Sequence, residues 1–208
     1  MIPRVAELLY RWRIEEARKR LEEKGENEIY VTELVLCPLK PRFQRMYREL
    51  ALAHSFSPLA LLGEFAHIGI ERVLREILGE DVVKVEVEYE RGVEVDGRSY
   101  VIKGRVDAIV GDTVLEIKTS RSDASIPYQH HVQQLRIYLW LTGFSKGLLL
   151  YVTPERLVEY PVTDPASDGE ILDAVRSIEV GEPAPRYPWE CQYCPYAQLC
   201  PRRVRARA

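Results

Sequence analysis

Beyond residue 82, hydrophobic and polar positions alternate with a period of two. Val83, Val85, Val87 and Tyr89 are interleaved with Lys84, Glu86, Glu88 and Glu90, the pattern of a strand with one wet face. Asp96-Gly97 and Gly111-Asp112 then read as two-residue hairpin turns, the first suited to type I′ and the second to type II′. Together they predict three antiparallel strands. Elsewhere the period is helical. A first helix is expected over residues 3–24, ending at Gly25, and a second begins near Thr32 and meets Cys37-Pro38. Ser57-Pro58 supplies an N-cap and an N1 proline for a helix ending at Gly79, with Leu59, Leu62, Ala66, Ile70, Val73 and Ile77 as its buried stripe. Residues 128–142 read as another helix, 147–153 and 157–162 as a further hairpin, and a short helix precedes the proline-rich stretch 182–188. The expected architecture is mixed α/β, with helices against a meander-type sheet.

With 208 residues, 46% of them hydrophobic, the chain is long enough for one substantial core. A formal net charge of -3 excludes a protein that coats nucleic acid by bulk positive charge, so any DNA contact must use local patches. Two exist: Lys40, Arg42, Arg45 and Arg48 interleaved with Phe43 and Tyr47, and the closing run Arg202, Arg203, Arg205 and Arg207. The competing reading is a solvated face and a frayed tail. Lys40, Arg42 and Arg45 are expected to line a DNA path. No signal-peptide apolar stretch opens the chain and no apolar run is long enough to cross a bilayer, so a cytoplasmic protein without membrane attachment is expected.

The Gly111-Asp112 turn sets a register that pairs Val110 with Thr113, Ile109 with Val114, Ala108 with Leu115, and Asp107 with Glu116. Two carboxylates about 5 Å apart on one face are destabilising unless a cation lies between them. Lys118, two residues past Glu116, projects from that same face. Ile102, Gly104, Val106 and Ala108, with Leu115 and Ile117, should form the opposite, core face. Two hard oxygen ligands suit Mg²⁺ or Mn²⁺, and Lys118 would orient or deprotonate a water and offset developing charge. The alternative is a surface network in which Lys118 screens two acids. Glu71, four residues after His67, and Glu86 are read as solvated acids and set aside.

Four cysteines complete the inventory: Cys37, then Cys191, Cys194 and Cys200 in a C-x-x-C-x5-C pattern. Thiolates at that spacing suit metal binding. Spacing alone does not separate structural zinc from an iron-sulfur cluster; a disulfide pair is the weaker reading in an intracellular chain.

Gly104-x-x-Asp107 followed by Glu116-Ile117-Lys118-Thr119 resembles the PD-(D/E)xK nuclease core in its RecB-like form, with Val106 in place of the proline. Gly63-Glu64-Phe65-Ala66-His67 is similar to the G-x-x-x-H stretch of that form, and Gln134-Leu135-Arg136-Ile137-Tyr138 to its Q-x-x-x-Y stretch. Such a core enclosed by one N-terminal and three C-terminal cysteines resembles the CRISPR-associated (Cas) exonuclease family, whose first- and last-cysteine segments are similar to residues 32–38 and 191–196.

The resemblance implies a restriction-endonuclease-like α/β core, a central mixed sheet flanked by helices, with a cysteine-cluster cap. Within one domain, residues 1–56 and 182–208 would form the cluster lobe and 57–181 the nuclease core. It implies an iron-sulfur cluster, 4Fe-4S or alternatively 2Fe-2S, on Cys37, Cys191, Cys194 and Cys200. Mg²⁺ or Mn²⁺ would be held by His67, Asp107, Glu116 and Ile117, with Asp107, Glu116 and Lys118 catalytic and Gln134 and Tyr138 positioning substrate. The implied activity is exonucleolytic hydrolysis of single-stranded DNA, 5′ to 3′, in selecting or trimming new spacers alongside the Cas integrase and its partner; a homo-oligomer is compatible with this. The rival is an iron-sulfur DNA-binding or docking subunit of an integrase complex with little turnover of its own.

Overall fold

The computed structural model describes residues 3–205, so Arg207 of the closing basic run lies outside the described residues. In chain order the elements are α1 (Val5–Glu23), β1 (Glu28–Tyr30), α2 (Val31–Val35), α3 (Lys40–Met46), α4 (Arg48–Ala51), a 3-10 turn (Leu52–Phe56), α5 (Pro58–Leu78), β2 (Val83–Val95), β3 (Arg98–Val110), β4 (Thr113–Thr119), α6 (Gln129–Thr142), β5 (Lys146–Val152), β6 (Leu157–Val162), α7 (Asp168–Val180) and α8 (Glu190–Tyr193).

Local chemistry explains most boundaries. Asp96 and Gly97 both take positive φ, 49° and 79°, which is what a type I′ turn between β2 and β3 requires. Ser57 caps α5 by accepting from the Ala60 N–H, with Pro58 in the first turn. Ser167 and Glu170 close a capping box at α7. Gly143 and Gly181, both left-handed, end α6 and α7.

The sheet runs β1-β3-β4-β5-β6, with β2 paired to the long β3. It is mixed rather than a meander: β1 lies parallel to β3 and β5 parallel to β4, while the β2/β3, β3/β4 and β5/β6 pairs are antiparallel. The parallel β4–β5 pair follows from α6, which supplies the crossover that two parallel neighbours need. On one side of the sheet, α2, α6 and α7 bury Leu34, Leu135, Ile137, Leu139, Ile171 and Val175 against Ile102, Val106, Val114, Leu149 and Tyr151. On the other, α5 lays Ile70 and Leu74 over Ala108, Leu115 and Ile117.

Two further expectations are corrected. The residues read as one core face of β3 divide between the two sides: Val106 packs with the α6 layer, while Ala108 packs with the α5 layer alongside Leu115 and Ile117. The partner strand switches in step, Val87 going with the first and Val85 with the second. Between them Glu86 takes φ 53°, and the ladder keeps Val85↔Ala108 and Val87↔Val106 while Glu86 and Asp107 are not paired. A matched kink in both strands therefore turns Asp107 out of the regular alternation.

The buried stripe of α5 is also displaced. Gly63, His67, Ile70, Glu71 and Leu74 face inward, whereas Leu62 and Ile77 are 62% and 72% exposed and Leu59 and Val73 are exposed as well. Among the described residues no helix is long and apolar enough to cross a membrane.

Candidate active site and cysteine pocket

The site forms where β3 and β4 part. Their ladder holds Val110↔Thr113, Ile109↔Val114 and Ala108↔Leu115 and then stops, so Asp107 and Glu116 are not the directly opposed pair the turn register suggests. Past that point the Ile117 N–H, which would otherwise bond the facing strand, donates to Asp107 Oδ2 at 2.7 Å. The kink at Asp107 thus replaces a ladder bond with a side-chain bond and fixes the carboxylate at the mouth of the opening. The face is not wet either: Glu116 is only 2% exposed, because α6 covers it.

From α6, Gln134 and Tyr138 close over Glu116. Gln134 Nε2 donates to Glu116 Oε1 at 2.8 Å and, more weakly, to the Tyr138 hydroxyl at 3.4 Å. Lys118 Nζ donates to Glu116 Oε1 at 2.5 Å and to Gln134 Oε1 at 3.0 Å. Gln134 therefore locks acid and lysine together. Gly104 makes room for this: a Cβ there would stand 2.7 Å from the Tyr138 ring.

From the other side, α5 brings His67, whose Nδ1 lies 3.3 Å from Asp107 Oδ1. A Cβ on Gly63, one turn earlier, would sit 3.2 Å from Thr119 Oγ1, so a glycine there lets the helix approach β4 closely enough to deliver the imidazole. Burial opposes protonation of His67, but the hydrogen bond and charge of Asp107 outweigh it and raise its pKa.

Glu71, set aside from sequence, belongs to this group. It is 7% exposed, its Oε1 is buried with no hydrogen-bond partner, and ligand atoms of His67, Glu71 and Asp107 all lie within 4.8 Å of one another. Burial first, then the neighbouring Glu86 and Asp107 charges, pushes its pKa up to about 7. Glu116 Oε2 is likewise buried without a partner, and burial followed by the Asp107 charge raises that carboxyl against the opposing pull of Lys118. Unpartnered buried carboxylate oxygens are costly unless a cation completes them. A divalent ion fits this donor set, with Ile117 able to contribute only its backbone carbonyl. Glu86 is exposed by contrast and is taken up by Arg105 at 2.6 Å. The i+4 spacing of Glu71 from His67 was the available sequence signal; it reads equally as an exposed helical acid until the helix face is known.

The four cysteines converge although 153 residues separate the two chain segments. All are free thiols, and Cys37, Cys191, Cys194 and Cys200 line one cavity together with Leu36, Phe43 and Tyr196. The segments are joined by Glu190, whose carboxylate accepts from the Cys37 N–H at 2.6 Å and the Tyr187 N–H at 2.8 Å. Burial raises the Cys37 and Cys194 thiols above their ordinary range. Four soft sulfur donors in an apolar pocket fit zinc or an iron-sulfur cluster, whose charge would hold them as thiolates. Lys40 lines this cavity while Arg42 and Arg45 point to solvent on α3.

Comparison with known proteins accords with this geometry. The family model described as PD-(D/E)XK nuclease superfamily matches residues 38–201. The chain is 42% identical over 197 residues to the CRISPR-associated exonuclease Cas4 of Saccharolobus solfataricus, covering 90% of this chain and 96% of that protein. Its fold is similar to the crystal structure of SSO0001, with a TM-score of 0.91 and 41% identity over 98% of this chain and 99% of that one. An alkaline exonuclease from Laribacter hongkongensis shares the fold alone, with a TM-score of 0.52 and 14% identity over 89% of this chain and 100% of that one. The chain belongs to the PD-(D/E)XK nuclease superfamily and, within it, to the CRISPR-associated exonuclease family.

Proposed function

We propose that this protein is a divalent-metal-dependent exonuclease that hydrolyses single-stranded DNA, 5′ to 3′, and acts on DNA destined to become CRISPR spacers alongside the integrase and its partner. The observation that carries the reading is the set of buried, unpartnered carboxylate oxygens of Glu71 and Glu116 gathered with Asp107 and His67 beside Lys118. Storing several acids and one lysine in an opened sheet is destabilising, and it is chemically useful only if a cation and a phosphate are brought there.

In this reading His67, Asp107, Glu116 and the Ile117 carbonyl would hold Mg²⁺ or Mn²⁺, and Glu71, whose ligand atom lies within 4.8 Å of those of His67 and Asp107, would join them. The bound ion supplies a polarised phosphate oxygen and a more acidic water. Lys118, beside Glu116 at 2.5 Å, would orient the attacking water and offset charge at the phosphorus. Gln134 keeps the lysine aimed through its 3.0 Å contact, and Tyr138, a neutral phenol because burial raises its pKa well above the ordinary value, borders the same space. The cysteine cavity fits a 4Fe-4S or 2Fe-2S cluster that ties the N- and C-terminal segments together. The relative's printed name, CRISPR-associated exonuclease, supports the pathway; Lys40, Arg42 and Arg45 are proposed to line the DNA path.

The test uses one single-stranded oligonucleotide carrying either a 5′ or a 3′ label, incubated with protein and Mn²⁺ or Mg²⁺. Immediate release of 5′-labelled mononucleotide with slow shortening of the 3′-labelled strand is expected. The opposite order of release, or internal cuts from the first time point, contradicts the proposed direction.

A further inference from the structure

Outside the carboxylate site, aromatic rings form a continuous path from Lys118 to the cysteine lobe. Lys118 pairs across the β4–β5 register with Tyr151. The Tyr151 hydroxyl accepts from the Tyr128 N–H at 3.0 Å and bonds His131 Nδ1 at 2.7 Å. The Tyr128 hydroxyl in turn lies 3.3 Å from Ser120 Oγ, two residues past Lys118. Next along the path, the His130 ring is centred 5.7 Å from Tyr128, 5.8 Å from Tyr187 and 4.9 Å from Trp189. Tyr187 and Trp189 stack at 5.8 Å with their planes 16° apart.

The ring cluster is open at its outer end: Trp189 keeps 38% of its surface exposed, and Tyr128, His130 and Tyr187 are only half-buried. Burial and the nearby Lys118 charge hold the His130 pKa down to about 4, so at neutral pH the ring is a flat neutral surface. The exposed Arg121 lies beside Ser120, so cationic groups flank the inner end of the path. Neutral aromatic faces next to cationic groups are what an unpaired polynucleotide requires: bases stack on the rings while phosphates meet the cations, with little dependence on sequence.

We infer that the ledge made by Tyr128, His130, Tyr187 and Trp189 is a base-stacking surface that takes unpaired nucleobases of the strand entering the Lys118 site. A duplex keeps its bases stacked on one another and cannot use such a ledge, so the ledge selects for single strands. The inference rests on the DNA-hydrolysis reading for the identity of its ligand.

The experiment measures binding with the full chain carrying its metals in the cysteine site, without added divalent cation so that no strand is cut. Fluorescence anisotropy compares oligothymidylate of roughly 12 nucleotides with a strand of equal length made of abasic sites. Wild type is expected to prefer the thymidylate by about tenfold, the effect of ~1.4 kcal/mol of stacking. Trp189→Ala should erase that preference while leaving affinity for the abasic strand unchanged, and Trp189→Phe should restore it. No preference in wild type, or equal weakening of both strands by Trp189→Ala, overturns the inference.

Because Trp189 lines the cysteine cavity, a second readout uses the unaltered chain. Photocrosslinking to single-stranded DNA bearing 5-iodouracil should map to peptides containing Tyr128, His130, Tyr187 or Trp189; crosslinks confined to other segments refute it. Cleavage is scored separately with Mn²⁺. Base preference and crosslinks without cleavage would sink the hydrolysis reading and leave the ledge standing, whereas cleavage without them would remove the ledge alone.

Discussion

Replacing Glu71 by glutamine should stabilise the metal-free protein and weaken its response to metal. The unfolded chain releases this proton near the ordinary value of 4.5, whereas the folded protein keeps it to about 7. Between those values the native state binds more protons, so stability falls as pH rises through that window, and the deficit is complete above it. The gap corresponds to about 3 kcal/mol. With its Oε1 lacking any partner, a neutral amide of the same shape removes most of that deficit. In a chain of this size the Glu71→Gln variant should then melt roughly 6–10 °C above wild type at pH 8 in chelator, with little difference at pH 4. Saturating Mn²⁺ should reverse the advantage, because the ion stabilises the wild-type carboxylate group by linkage and holds the variant less tightly. Thermal melts at the two pH values, with chelator and with Mn²⁺, decide it. A variant less stable than wild type in chelator at pH 8, or an equal Mn²⁺ shift in both proteins, would show that Glu71 is neither strained by its burial nor a metal ligand.

Three further outcomes follow from the same contacts. Gln134→Ala releases both Lys118 and Glu116 and should lower kcat by about 10²-fold with DNA affinity retained, as read by single-turnover cleavage and anisotropy. Gly104→Ala drives a methyl group against Tyr138, Val31 and Leu141, all closer than 3 Å; denaturant unfolding should show a loss of about 1–3 kcal/mol, together with reduced cleavage because Tyr138 must move. Glu170 is held at about 2, chiefly by its hydrogen bond from Arg136 and then by the Ser167 N–H. Its stabilisation is present above pH 4.5 and lost as pH falls toward 2. Because this carboxylate is substantially exposed, Glu170→Gln should cost only about 1 kcal/mol at neutral pH, the difference shrinking in melts near pH 3.

Much of this site is legible in the chain because its chemistry is local. Asp96-Gly97 and Gly111-Asp112 fix two hairpins through φ alone, Ser57-Pro58 starts α5, and the turn at residue 111 brings Asp107, Glu116 and Lys118 near one another. What the pattern does not show depends on partners distant in sequence. The regular alternation of β3 hides the change of face at Asp107, because the kink requires Glu86 on the neighbouring strand to adopt φ 53°. The apolar positions of α5 are numerous enough to define two stripes, and the one that packs is the one carrying Gly63, His67 and Glu71; Leu62 and Ile77 remain in solvent. That displacement is why Glu71 reads as a solvated acid from sequence and sits among the ligand atoms in the fold. β1, three residues long, is held by its parallel ladder with β3, which no local pattern announces.

The most direct test of the central claim combines hydrolysis and binding in one set of proteins: wild type, Asp107→Ala and Lys118→Ala, each with end-labelled single-stranded DNA and Mn²⁺. Both variants should lose cleavage by about 10²–10⁴-fold. Both should still bind the strand, while calorimetric titration shows Mn²⁺ affinity lost in Asp107→Ala and kept in Lys118→Ala. Wild-type protein that leaves the DNA intact, or variants that cut at the wild-type rate, would rule out metal-dependent hydrolysis at Asp107 and Lys118.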